Sequence, residues 1–210
     1  MVVSEKSGHR STALSDCGYI IGKGKVMKNT LLEQIKEKIA AWDKSDIYAV
    51  SLFVYDMNDN PCEPVVTLGY NTVEQLRKEI PNADGEQEAK WNYAFWLQNE
   101  ELSFGAGETQ AVVRQWIENA GYSYFTYEEM FGAGESPEEG LYEGITGAFL
   151  EVLIEVIKEL HESGFIKEQF GKEIPVLIHG LEYYEEIGEQ NLKANPAETV
   201  EEFVKFCNEW

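Results

Sequence analysis

The spacing of apolar and polar residues divides most of the chain into predicted helices and strands. Apolar residues at i, i+4 spacing after Met27 predict an amphipathic helix, opened by a capping box at 30–33. The nearly unbroken apolar run 47–55 predicts a central strand covered on both faces. A loop rich in turn-forming residues follows, and 65–70 then predicts the returning strand of a hairpin.

The rest of the pattern predicts further helices and one more strand. The strongest local signal is Ser136-Pro137-Glu138-Glu139, which predicts the start of a helix of about six turns that ends near Gly164. The other predicted elements are a short helix from Thr72 to Pro81, a helix in KWNYAFWLQNEEL after a polar loop at 82–90, a helix capped by Gly121, a strand in EIPVLIHG and a closing helix in ANPAETVEEFVKF. This order predicts a single α+β domain, with helices packed on a small, mainly antiparallel sheet.

Residues 1–26 differ from the rest of the chain. They show neither helical nor strand periodicity and are rich in Ser and Gly. The Gly and Lys codons of residues 22–25 can also form a purine-rich ribosome-binding site ahead of the Met27 codon. We therefore predict that translation starts at Met27, that residues 1–26 are a non-native or disordered extension, and that residues 27–210 form the domain.

The net charge is the most unusual property of the composition. With 38 Asp and Glu against 17 Lys and Arg, it is −21 at pH 7. Such a field repels nucleic acid and anionic membranes and speeds the encounter with cationic partners, although acidity that serves solubility alone is the alternative explanation. The sequence has no apolar stretch of membrane-spanning length and no recognisable secretory signal. Three widely spaced cysteines predict neither a disulfide framework nor a zinc site. We expect a cytoplasmic protein whose partner is a basic protein.

The stretch HGLEYYEE, residues 179–186, places one histidine beside several carboxylates. His179, Glu182 and Glu186 are residue types that can ligate a divalent ion or share acid–base roles. Clusters of carboxylates are expected by chance in so acidic a chain, so the favoured interpretation is a solvated acidic loop. The sequence also lacks a nucleophile elbow and a P-loop. We therefore predict no catalytic residue, metal or cofactor, and keep the divalent-metal enzyme as the alternative.

Aromatic residues suggest where a partner binds. Tyr and Trp are frequent anchors of protein interfaces, whereas stacking on nucleic-acid bases needs a basic groove that this chain cannot offer. We predict that the segment from Tyr122 to Phe131, together with the end of HGLEYYEE, forms a partner-binding surface. The candidate residues are Tyr122, Tyr124, Phe125, Tyr127, Tyr183, Tyr184, Glu185 and Glu186.

Several passages together resemble a bacterial domain-of-unknown-function family, number 4303. They are the strand YAVSLFVY, NTVEQL at 71–76, KWNYAFW, SGFIKEQFGKEIPVLIHG and NLKANP, which span about residues 30–206 in this order. Ala194, where the family pattern has leucine, and the segment 122–134 depart from it. The resemblance implies a small cytoplasmic bacterial protein of the immunity type, encoded near secreted toxins, and it brings no catalytic residues.

Three functional hypotheses therefore stand. The first is an interaction protein, in particular an immunity protein that neutralises a cationic toxin such as a nuclease. The second is a small enzyme with a carboxylate and histidine metal site, and the third is a regulatory or scaffold domain without a toxin partner. The charge, the aromatic segments and the lack of a catalytic motif favour the first.

Overall fold

The computed structural model describes the backbone of residues 15–209 and the side chains of residues 25–138 and 140–209. The helices of this part of the chain are α1 (Ser15–Ala41), α2 (Val73–Glu79), α3 (Glu86–Trp91), α4 (Gln110–Asn119), α5 (Tyr127–Phe131), α6 (Ile145–Glu162), α7 (Phe165–Phe170), α8 (Glu185–Ala194) and α9 (Ala197–Glu209). The strands are β1 (Ile47–Asp56), β2 (Pro64–Thr72), β3 (Leu102–Phe104) and β4 (Val176–His179). None of the described helices is both long and apolar enough to cross a membrane.

The four strands form one mixed sheet in the order β3-β2-β1-β4. β1 and β2 form the predicted antiparallel hairpin, β3 continues it, and β4 pairs in parallel with β1. In this register Phe53 lies opposite Thr67 on one side and His179 on the other. The predicted α+β class and the central position of β1 are confirmed.

Alternate residues of β1 face two separate cores. Val50 and Leu52 pack in the larger core, together with buried residues of α1, α4 and α6. Ala49 faces the smaller core, which Trp91 and Phe203 fill from α3 and α9. Burying a large apolar side chain stabilises a fold by about 1.5–3 kcal/mol, which explains why β1 lacks the polar alternation of a half-exposed strand.

Asn191 of α8 and Asn195, the residue directly after this helix, cover the free edge of β4. Asn191 Oδ1 accepts from the Ile178 N–H at 2.8 Å and its Nδ2 donates to the Ile178 carbonyl at 2.7 Å. Asn195 makes the same pair of bonds with Val176, at 2.8 and 3.0 Å. Four residues of a helix rise about 6 Å and two residues of a strand about 6.6 Å, so i, i+4 amides match i, i+2 strand positions. The NLKANP passage thus takes the place of a fifth strand.

Two predicted helix starts are wrong. α1 begins at Ser15, so Thr30 lies inside the helix, where its hydroxyl donates to the Val26 carbonyl at 2.9 Å. α6 begins at Ile145 after Gly144, and the exposed Ser136 lies before it. An N-cap contributes only about 1 kcal/mol, which is less than the burial of one large apolar side chain, so packing decides where these helices begin.

The remaining local predictions have a mixed outcome. Thr72 accepts from the Gln75 N–H at 3.1 Å, which confirms the start of α2, and Gly121 ends α4 with φ +92°. The helix predicted in KWNYAFW lies earlier in the chain: α3 starts within the predicted polar loop and ends at Trp91. It ends there because the Lys90 carbonyl accepts from the side chains of Tyr48 and Trp96. The acidic loop predicted at HGLEYYEE, residues 179–186, is helical from Glu185 onwards.

The predicted N-terminal extension is described only in part. Residues 15–26 form the first half of α1, whereas residues 1–14 lie outside the described residues. The translation start at Met27 remains a prediction.

Candidate partner-binding site

The hairpin loop between β1 and β2 positions the chain that leads into α5. The buried Asn60 donates from Nδ2 to the Phe125 carbonyl at 2.9 Å. The Cys62 thiol donates to the Ser123 carbonyl at 3.7 Å, and burial raises its pKa, which keeps the thiol neutral. Two side chains of one loop therefore hold the backbone of residues 123–125 against the hairpin loop.

A buried carboxylate completes this support. Glu63 is 9% exposed, and its Oε1 accepts from the Tyr124 hydroxyl at 2.8 Å and from Gln110 Nε2 at 3.1 Å. Burial, together with the hydrogen bond to Glu63, raises the pKa of Tyr124 to about 12. The phenol therefore stays a neutral donor at physiological pH and ties the segment to the loop.

The outer face of Tyr124 carries a cation from α4. The Arg114 guanidinium lies 4.6 Å from the centre of the Tyr124 ring, and its Nε donates to Glu118 at 3.1 Å. Both charged side chains are about half exposed. This triad of ring, guanidinium and carboxylate was missed at the sequence level, where its only signal is the i, i+4 spacing of Arg114 and Glu118.

A reciprocal capping box opens α5. Thr126 Oγ1 accepts from the Glu129 N–H at 3.4 Å, and Glu129 Oε2 accepts from the Thr126 N–H at 2.8 Å. The Thr126 hydroxyl also donates to Glu129 Oε2, at 2.8 Å. The N–H bond and then this hydroxyl bond to the carboxylate hold the pKa of Glu129 below its usual range. Met130 is 7% exposed and anchors the helix to the larger core. A helix of five residues is thereby held in one orientation.

Two aromatic rings of α5 point to solvent. Tyr127 and Phe131 are 47% and 50% exposed, and their ring centroids are 5.1 Å apart. The Glu128 side chain is exposed as well and lies three residues before Phe131, a spacing that makes side chains neighbours on a helix surface. We call the four exposed side chains Tyr127, Glu128, Phe131 and Glu135 the α5 surface.

Along the sequence, the α5 surface belongs to a long stretch without a basic residue, and Arg114, which lies next to it in space, is paired with Glu118. Residues 115–157 contain nine acids and no Lys, Arg or His. The acids are Glu118, Glu128, Glu129, Glu135, Glu138, Glu139, Glu143, Glu151 and Glu155. An exposed ring pair on so acidic a stretch combines apolar anchors with a negative charge, which is suited to a basic protein surface.

The first group of predicted partner-binding residues divides by depth. Tyr127 is exposed, whereas Tyr122, Tyr124 and Phe125 are half-buried and pack against the larger core. These three rings therefore support the surface more than they form it. Leu141, which is 43% exposed and accepts from the Ser123 N–H through its carbonyl, was not singled out by the sequence reasoning.

The second group lies at the smaller core, whereas α5 packs on the larger one, and one of its residues is buried. Tyr184, Glu185 and Glu186 are exposed at the start of α8. Tyr183 was predicted at the surface but is only 7% exposed, because its hydroxyl accepts from the Tyr93 N–H at 2.8 Å and its ring packs against Phe206. In this conformation a partner can reach Tyr184 but not Tyr183.

His179 is a core residue. Its Nδ1 lies 3.1 Å from the Gly180 carbonyl, which can only accept, so Nδ1 carries the proton and Nε2 accepts from the Ser51 hydroxyl at 2.8 Å. Tyr93 and Trp96 pack around the ring, which is 2% exposed. Burial lowers the pKa of His179 to about 4, so the imidazole is neutral at pH 7.

This geometry gives no support to the divalent-metal alternative. Both nitrogens of His179 are hydrogen-bonded, while Glu182 and Glu186 are exposed. Among the described side chains, no group of three His, Cys, Asp or Glu is arranged to hold a metal ion. A cleft of about 470 Å³ lies away from His179, at the other end of β1 and β4, and Tyr48 and Pro175 contribute to its lining.

Comparisons of this chain with protein-family models, with curated proteins and with solved structures gave no match.

Proposed function

We propose that this protein is a cytoplasmic binding protein that covers a basic surface of a protein partner with its α5 surface. The partner class that fits this chemistry is a cationic toxin domain such as a nuclease, and the protein would then act as its immunity protein. The observation that carries the proposal is the exposed ring pair Tyr127 and Phe131 within a 43-residue stretch of nine acids and no base.

The physical roles of the two components differ. The net charge of −21 attracts a positively charged surface over a distance of about one Debye length, and so raises the association rate. The two rings provide the apolar contact that slows dissociation once the surfaces meet. Because the hairpin loop and the capping box already hold α5 in place, little conformational entropy is lost on binding.

The experiment is coexpression with the toxin domain encoded beside this gene, read as rescue of growth and as a dissociation constant for the purified pair. A double variant, Tyr127→Ala with Phe131→Ala, removes the rings without a change in charge. Loss of an interface anchor costs about 2 kcal/mol, so we expect the affinity to fall about thirtyfold or more.

Leu192→Ala is the matched control, since it removes an apolar side chain of similar exposure on α8, outside the predicted partner-binding residues. All three side chains are about half exposed, so we expect the variants to change the free energy of unfolding by no more than about 0.5 kcal/mol. If no neighbouring effector is bound or neutralised by the unmodified protein, the proposed function is wrong. If the double variant and the control weaken binding to the same extent, the contact does not lie on the α5 surface.

A further inference from the structure

We propose that the α5 surface selects arginine side chains of its partner, whose guanidinium groups stack on the Tyr127 and Phe131 rings beside the carboxylates. This inference rests on the proposed function and names the partner group that the surface recognises. It concerns the kind of cation, since a general attraction to positive charge does not distinguish arginine from lysine.

The first argument is that the protein already contains such an arrangement, which one of its own arginines occupies. Next to α5, the Arg114 guanidinium lies on the face of Tyr124 at 4.6 Å, and Glu118 accepts from its Nε at 3.1 Å. An aromatic face and a carboxylate thus already share one guanidinium in this region. The α5 surface offers the same two groups, with the Tyr127 and Phe131 rings half exposed.

The second argument is the position of the carboxylate relative to the rings. Glu128 Oε2 lies near the backbone of Gly132, the residue after Phe131. Glu129 is held by Thr126 in the capping box, whereas Glu128 and Glu135 are exposed. A cation stacked on the Phe131 ring therefore has the exposed Glu128 carboxylate as an i, i+3 neighbour on the same helix.

The third argument is the shape of the cation. A guanidinium is planar, stacks flat on an aromatic face, and still directs its N–H donors to a carboxylate in its own plane. A lysine ammonium is a compact, strongly hydrated charge, which loses more hydration when it approaches a ring. The ring and carboxylate arrangement therefore favours arginine, while the net charge favours both cations equally.

The test uses two peptides that differ only at their basic positions, which are all arginine in one peptide and all lysine in the other. Calorimetry at low and at physiological salt measures both dissociation constants with the full-length protein. We expect the arginine peptide to bind roughly two- to fivefold tighter for each stacked guanidinium. We also expect this preference to vanish in the Tyr127→Ala and Phe131→Ala double variant and to persist in Leu192→Ala.

The possible results separate this inference from the proposed function. Equal affinity of the two peptides for the unmodified protein would overturn the arginine inference and leave a basic partner in place. A preference for arginine that survives in the double variant would overturn it as well, because the selective group would then lie elsewhere. If neither peptide binds at low salt, the arginine inference and the proposed charge attraction are both wrong.

Discussion

The buried imidazole of His179 should make the fold sensitive to acid. In the folded chain burial lowers its pKa from 6.5 to about 4, whereas in the unfolded chain it titrates near its ordinary value of 6.5. Between these two pH values the unfolded chain binds one more proton than the folded chain. The free energy of unfolding therefore falls as the pH falls through this window, and the contribution is fully present above about pH 6.5.

The magnitude follows from the size of the pKa shift. A difference of about 2.5 units at 1.36 kcal/mol per unit corresponds to about 3 kcal/mol, with a slope of at most 1.36 kcal/mol per pH unit. This is a substantial part of the 5–15 kcal/mol that typically stabilises a domain. The ring is 2% exposed, so solvent hardly screens it and the full pKa difference acts on stability.

Carboxylates titrate in the same pH range, so the assay needs a reference variant that lacks only the His179 imidazole. Urea unfolding followed by tryptophan fluorescence at a series of pH values, for the unmodified protein and for His179→Gln, isolates the histidine contribution. We expect the stability advantage of the unmodified protein over the variant to shrink by about 3 kcal/mol between pH 6.5 and pH 4.

Two outcomes would show that this reasoning is wrong. One is a parallel pH dependence of the two proteins, which would mean that His179 titrates alike in the folded and unfolded chains. The other is an NMR titration of the folded, unmodified protein in which the His179 ring protonates near pH 6.5. The NMR measurement does not need the variant, so it decides the question even if His179→Gln fails to fold.

Three further predictions concern stability, each measured by urea unfolding at neutral pH. Asn195→Ala leaves the free edge of β4 unsatisfied and should cost about 1–3 kcal/mol, whereas Lys193→Ala, at an exposed position of α8, should change little; equal effects would contradict the role of the Asn195 amide. Gly105→Ala should cost more than Gly107→Ala, because both have positive φ but only at Gly105 would the new Cβ collide with backbone; similar costs would show that the loop relaxes. Tyr124→Phe removes a donor from a buried carboxylate and should cost about 1–3 kcal/mol, and an unchanged midpoint would mean that water replaces the hydroxyl.

The elements that were predicted correctly are those whose signal is both local and strong. The apolar run of β1 predicted a central strand because only a strand buried on both faces is stable with so few polar side chains. Thr72 and Gln75 predicted the start of α2 because the capping bond joins residues three apart. Neither prediction needed knowledge of distant parts of the chain.

The candidate site was predictable only in outline. The segment from Tyr122 to Phe131 was identified from its aromatic content, but which rings are buried depends on the hairpin loop, where Asn60 and Glu63 lie about 60 positions earlier in the sequence. The capping box at Thr126 was overlooked in favour of the one at Ser136, which lies outside α6. Two similar local signals cannot be ranked without the packing that accompanies each.

The sequence by itself determined the α+β class, the central strand, the hairpin and the strongly negative charge, because these follow from composition and from periodicity along the chain. Only the tertiary structure decided that His179 is a neutral core residue and that Tyr183 is inaccessible. The partners responsible, Ser51 and the Tyr93 backbone, are 128 and 90 positions away. Burial and pKa depend on neighbours in space, and a local pattern of eight residues such as HGLEYYEE does not specify those neighbours.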